Sequence, residues 1–351
     1  MAKLLSEAIQ QDASDVHITV GVPPVFRING NLVESSCSRL SPADTKAIVY
    51  SFLNDHQVST FRRDLELCCS IAFTGGRRFR MSAFHQRGAV AACLRLIPKE
   101  VASRDSLHLP EAMSQAIQST HGLVLVTGSS GCGKSTTLNY MIDFLNREKE
   151  LHIITIESPI EHLHLHQKSM VNQREIGHDT FNNTNALRAA LREDVDVMVV
   201  AEMGILAETV DQVLEAADTG HLVISTFHTT DATSTIQALS DLFPFYAAQT
   251  KVRLARLTRA IFAQQLVRRK SGGLIPAVEV LVGTLPVKSA IESSQANKLY
   301  NAIQMGRSVG MQTMEQALFD LVQNGLIDRE VALGSTLHHQ EVLRMLDGAG
   351  L

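Results

Sequence analysis

Apolar and polar positions follow two rhythms along the chain. As far as about residue 98 the apolar stretches are short and broken by turn residues. After a first amphipathic helix ending near Asp12, residues 16–20 alternate as a strand, and Gly21, Pro23 and Pro24 break it. Residues 25–28 and 32–33 flank Asn29 and Gly30, a strong two-residue hairpin signal. Ser41 and Pro42 open a segment of helical spacing that runs to Phe61, with serine at the N-cap and proline at the first helical position. Residues 78–84 and 89–97 read as two more strands, and Pro98 closes this α+β part.

Residues 99–112 are polar, contain Pro110 and read as a linker. From 113 to about 285 strands and helices alternate, the pattern of a sheet with covering helices. Strands are predicted over 122–126, 151–157, 195–201 and 221–226, and helices over 185–192, 207–217 and 231–242. A long amphipathic segment, 247–268, ends this part. From Pro286 onward the chain reads as helical and polar-faced, with breaks at Gly306, Gly310 and Gly325. The expected fold class is α/β: an N-terminal α+β domain (1–98), a linker (99–112), a core domain (113–285) and a helical C-terminal region (286–351).

The strand at 122–126 leads into Gly128, Ser129, Ser130, Gly131, Cys132, Gly133, Lys134, Ser135 and Thr136, which fit the phosphate-binding pattern G-x-x-x-x-G-K-[ST]. Behind it, Leu138, Met141, Ile142 and Leu145 share one helical face. A strand before and a helix after are the context that gives the pattern meaning. Glycines let backbone N–H groups curl round an anion, and the helix N-terminus adds its dipole. Lys134 would then reach the β- and γ-phosphates of ATP, and the Ser135 hydroxyl would ligate Mg²⁺.

Composition narrows the field. The 351 residues suffice for two cores, and a net charge of −4 gives no electrostatic case for nucleic acid. The N-terminus lacks the apolar length of a signal peptide, and no apolar run would span a bilayer, so a cytoplasmic location is expected. Cys37, Cys68, Cys69, Cys93 and Cys132 form no C-x-x-C pair, which argues against zinc and for reduced thiols. Cys132, inside the loop, reads as a small filler residue.

ATP hydrolysis needs a carboxylate to orient water and cations to absorb charge on the γ-phosphate. Glu157 and Glu161 follow a strand end, where they would face a ligand crevice. Glu202 ends the apolar run 197–201, the Walker B arrangement. His221 and His228 bracket the strand between them, as phosphate sensors or as structural histidines. Arg80, Arg87 and Arg95 lie in the N-terminal part and would act only on a nucleotide held elsewhere. His162, His164 and His166 alternate, so on a strand they would share a face, but no carboxylate or cysteine completes a metal set.

With these pieces in place the chain resembles the type IV pilus retraction ATPases of the secretion superfamily. The resemblance covers almost the whole chain: 13–17 and 21–24, the arginine-bearing 78–84 and 94–98, and the Walker A loop at 128–136. It continues with the aspartate box at 156–161, then 171–175, 186–194, the Walker B Glu202, the histidine box at 219–230, and 310–313. It implies a PAS-like N-terminal domain, a RecA-like core and six copies in a ring. It also implies Glu161 as general base, Glu202 as the carboxylate beside Mg²⁺, and Arg80 and Arg95, with Arg87 third, as γ-phosphate sensors. The partner implied is the platform protein of the pilus machine, at the cytoplasmic face of the inner membrane.

The chain also departs from the pattern. Ser158 stands where the aspartate box has Asp, and Gly204 and Ile205 stand where Walker B continues with Arg and Asp. The C-terminal retraction motif reads 286–293 with Lys288 as its only cation. Two alternatives follow: a related secretion or conjugative-pilus ATPase, or a weakly hydrolytic subunit working beside a paralogous ATPase.

Overall fold

The computed structural model describes residues 2–336 and 338–350, so Met1, Leu337 and Leu351 lie outside the description. The chain forms two compact units, one of residues 1–100 with 158–163 and one of residues 101–157 with 164–351.

The first unit is built on a six-stranded sheet. Its strands are β1 (Asp15–Ile18), β2 (Val25–Ile28), β3 (Asn31–Glu34), β4 (Glu66–Ala72), β5 (Arg78–Gln86) and β6 (Ala89–Ile97). They run antiparallel in the order β3-β2-β1-β6-β5-β4. Asn29 and Gly30, at φ +50° and +84°, make the expected hairpin turn between β2 and β3. One sheet face is apolar and forms the core with the helices, with Phe26, Phe61, Phe79, Met81 and Leu94 fully buried. The single helix expected over 41–61 is instead two, Pro42–Tyr50 and Asp55–Asp64. Asn54 restarts the chain by capping the second, reciprocally with Gln57, a capping box in the middle of the predicted element. Strand β4 was not foreseen, because its Cys68, Cys69 and Ser70 carry little alternation.

The second unit holds a seven-stranded sheet in the order β13-β12-β7-β11-β10-β8-β9. The strands are β7 (Gly122–Thr127), β8 (His152–Glu157), β9 (Met170–Glu175), β10 (Val197–Val200), β11 (Leu222–Phe227), β12 (Thr258–Arg268) and β13 (Leu274–Val282). All neighbours are parallel except β12 and β13. Strands β7, β10 and β11 are buried throughout, the near-continuous apolar signature of a sheet covered on both faces. The amphipathic segment 247–268 is not one helix: Ala247–Leu257 is helical, and the chain passes directly into β12 at Thr258. β13 was hidden by Pro276, a residue that a sheet accepts on an edge strand, which β13 is. Within the predicted linker, Arg104–Leu107 and Glu111–Ala116 are helical, and Leu109, Ala112 and Met113 are buried in this unit's core. After β13 the elements are helices, from Leu285–Glu292 to His339–Ala349, with Gln312 bridging back to Val280. Among the described residues no helix is long and apolar enough to cross a membrane.

Candidate nucleotide site

Parallel strands deliver their C-terminal ends to one edge of the sheet, where open α/β folds bind ligands. That edge receives the loop after β7, Glu157 at the end of β8, the segment after β10 and the segment after β11. The loop closes on Gly133, at φ +92°, and the helix Lys134–Glu148 begins there without a side-chain cap. Its first-turn N–H groups are therefore free of competition from a side chain, a fit for an anion. Gly128 has φ +141°, and a Cβ there would lie 2.3 Å from the Gln264 carbonyl oxygen and 2.5 Å from Cys132 Sγ.

Lys134 is 9% exposed, and its ammonium is held by the loop itself. Nζ donates to the carbonyls of Gly128 (2.7 Å) and Ser129 (2.8 Å). It also stands 3.4 Å from Nδ1 of His228, whose Nε2 is 3.1 Å from a Glu202 carboxylate oxygen. An ammonium can only donate, so His228 accepts at Nδ1 and donates from Nε2–H to Glu202. Lys134, His228 and Glu202 thus form one hydrogen-bonded relay from the loop to the end of the Walker B strand. Glu202 and Ser135 are exposed, offering the hard oxygen donors that suit Mg²⁺.

Glu157 is buried and takes hydrogen bonds from Thr155 Oγ1 (2.6 Å) and Gln173 Nε2 (2.9 Å). His221 precedes β11, at the opposite end of the strand from His228, roughly 20 Å away at ~3.3 Å per residue. Its Nδ1 lies 3.0 Å from the Ala216 carbonyl, a local turn contact, so the structure does not bring His221 to the loop.

Arg80, Arg95 and Glu161 all belong to the first unit. Arg80 donates to Glu161 Oε1 at 2.8 Å and to Cys68 Sγ at 3.3 Å. Burial opposes the Arg80 charge, but its bonds to Cys68 and Glu161 outweigh this and raise its pKa. Arg95 pairs with Asp15 at 2.9 Å. The register places Arg27, Asp15, Arg95, Arg80 and Ser70 directly opposite one another across five strands. They form a row on the sheet face away from the apolar core. Arg87, at φ +48°, sits instead at the tip of the hairpin between β5 and β6.

The three alternating histidines do not lie on a strand. His162 belongs to the first unit. His164 is buried with Nε2 3.1 Å from Asn139 Oδ1, and His166 Nδ1 accepts the Val171 N–H at 3.0 Å.

Sequence reading missed Gln264 on β12. Its Nε2 donates to the Cys132 carbonyl (2.7 Å), and its Oε1 accepts from Thr137 Oγ1 (2.9 Å), so it braces the loop from both sides. It also missed a cavity of about 200 Å³ beside Gly133 and Thr136, walled by Leu107, Leu266, Arg269 and Ile275. Leu107 aside, these residues lie on or just after β12 and on β13, strands that the helical spacing of 247–268 and Pro276 had hidden.

Comparison with known proteins finds similarity over almost the whole chain. The family model described as Type II/IV secretion system protein matches residues 1–303. The chain is 40% identical over 333 residues to the "Type IV pilus retractation ATPase PilT" of Pseudomonas aeruginosa, covering 95% of this chain and 96% of that one. It is 36% identical over 333 residues to the "Type IV pilus ATPase PilU" of the same organism, covering 94% and 87%. A crystal structure of the pilus retraction motor PilT with bound ADP superposes with a TM-score of 0.91 at 40% identity, covering 98% of this chain and 99% of that one. The chain therefore belongs to the Type II/IV secretion system proteins, in their PilT/PilU-like pilus retraction ATPase branch.

Proposed function

We propose that six copies of this chain form a ring that hydrolyses ATP and turns domains against one another to retract a type IV pilus. The observation that carries the reading is the relay Lys134–His228–Glu202 at the mouth of a loop whose backbone is shaped for phosphate. The loop N–H groups from Gly128 to Thr136 would bind the phosphates, with Lys134 moving from the loop carbonyls onto the β- and γ-oxygens. Ser135 and Glu202 would hold Mg²⁺, which supplies charge neutralisation at the phosphates when bound. Leu266, Leu107 and Arg269 would enclose the base. Glu161 would orient the attacking water, and Arg80 and Arg95 of a neighbouring copy would stabilise the charge that develops.

In this reading residues 1–98 are the PAS-like domain, 113–285 the RecA-like core and 286–351 the C-terminal helical region. The protein works in the cytoplasm, against an inner-membrane platform protein. Lys134→Ala is expected to abolish hydrolysis. A purified variant that turns over like the parent would remove the assignment. In a deletion strain, excess pili that do not retract support retraction, whereas bald cells would point to assembly.

A second reading, a weakly hydrolytic subunit beside an active paralogue, is favoured by Ser158 and by Gly204, which takes φ +68° just after Glu202. Steady-state ATPase of the isolated protein separates the two.

A further inference from the structure

The side chain of Glu202 stands largely in solvent and meets His228 at its tip, so burial does not aim it. Its direction comes from the two peptide groups that flank its Cα. Before it, Thr226 Oγ1 of β11 donates to the Ala201 carbonyl. After it, the Met203 N–H donates to the Thr226 carbonyl at 3.3 Å, and the Met203 side chain is buried in the core. The other half of that second peptide, the Glu202 carbonyl, accepts from Nδ2 of Asn183 at 3.0 Å. Peptide groups are planar, so fixing both fixes the Cα–Cβ bond between them.

Asn183 is itself held firmly. It is the first residue of the helix Asn183–Ala190, which Asn182 caps by accepting the Asn185 N–H at 2.8 Å. Ala186, Leu187 and Ala190 bury the inner face of that helix. The chain beyond Met203 turns outward: Gly204 takes φ +68°, and Ile205 and Leu206 are exposed. A carbonyl can only accept, so the Asn183 NH₂ faces Glu202 and Oδ1 faces away. Oδ1 is buried and has no donor among the described residues. A buried acceptor without a donor opposes folding, and an apolar side chain of the same shape would avoid that cost. Stability therefore does not account for an amide at this position, whereas the bond to Glu202 does.

We propose that Asn183 is a positioning residue for Glu202, holding its carboxylate where it meets His228 and where Mg²⁺ would bind. The role toward the metal rests on the nucleotide reading; the hold on the backbone rests on these bonds alone. Gly204 and Ile205 stand where the family pattern continues with Arg and Asp, and neither has a polar side-chain atom to fix this turn. Asn183 supplies a fixing bond from the neighbouring helix instead.

The test compares the full chain with Asn183→Leu, which keeps the shape and removes both polar atoms, and Asn183→Asp, which removes only the donor. Asn183→Leu is expected to melt no lower than the parent. Without nucleotide, both variants are expected to exchange amide hydrogens about tenfold faster over residues 201–206. With a fluorescent ATP analogue, the Mg²⁺ concentration that gives half of the metal-dependent gain in affinity is expected to rise about tenfold, while affinity in EDTA stays within about twofold. Parent-like exchange over 201–206 in both variants would overturn the hold. Faster exchange with an unchanged Mg²⁺ requirement would overturn the positioning role. A melting temperature of Asn183→Leu well below that of the parent would make the amide structural and overturn it too. A parent that binds no nucleotide would instead count against the nucleotide reading, and exchange would still decide the hold.

Discussion

Gly128 shows how local and distant constraints meet in one residue. A side chain there faces both a strained φ and the backbone of β12. Gly128→Ala is expected to cost about 1–3 kcal/mol, read as a lowered melting temperature, because the opposing atom is a carbonyl that cannot rotate away. The glycine was legible because the phosphate-loop pattern is local. Gln264 was not, because its partner Thr137 lies 127 residues away. Gln264→Leu would leave the Cys132 carbonyl and the Thr137 hydroxyl without their partner, a loss of roughly 1–3 kcal/mol by thermal melting. Cys132 is buried, and burial pushes its thiol pKa up. Iodoacetamide should therefore modify the exposed Cys37 and Cys68 first, with Cys132 reacting only on unfolding. Faster labelling of Cys132 would instead mark it as a reactive thiol inside the loop. For Glu161, Glu161→Gln is expected to keep nucleotide binding and stop turnover. An unchanged rate would move the base to Glu157 or Glu202.

Elements were legible where one signal spoke alone. Strands β7, β10 and β11 are buried throughout and mostly apolar, and the helix Lys134–Glu148 follows a known loop, so pattern and structure agree. Errors arose where two signals overlapped. The run through Leu257 and Thr258 keeps helical spacing up to the point where a buried strand begins, and periodicity alone cannot mark that junction. Edge strands β4 and β9 bury only part of one face, so their patterns are faint. Glu279, buried in β13 against the Ala232 N–H, has a consequence for pH. The folded-state pKa of Glu279, about 7, lies above the usual glutamate value of 4.5, so the folded chain holds a proton that the unfolded chain releases. Its contribution is fully present below about pH 4.5 and is lost as the pH rises through 7. The melting temperature of Glu279→Gln should decline less than that of the parent between pH 5 and 8. Parallel curves would exclude this titration.

At the scale of the whole molecule, strand–helix alternation revealed the α/β core, and the hairpins revealed the first sheet. The assignment of residues 158–163 to the first unit was not visible. No composition shift marks them, because their place is decided by Arg78 and Arg80, which bond the Ile160 carbonyl and Glu161. Light scattering of the purified protein with ATP is expected to give six copies. A monomer under all nucleotide conditions would leave Arg80 and Arg95 without a neighbour to serve.

The bond between Arg80 and Glu161 has one last consequence. The proposed base and the proposed finger neutralise each other, so neither is available while they are joined. A phosphate arriving at the guanidinium must take over the seat of the carboxylate, and in the same exchange the carboxylate is released to water. In the proposed ring the phosphate that draws Arg80 away is a neighbour's, while the water Glu161 would orient belongs to its own chain's loop, so filling one site would arm the next one round the ring.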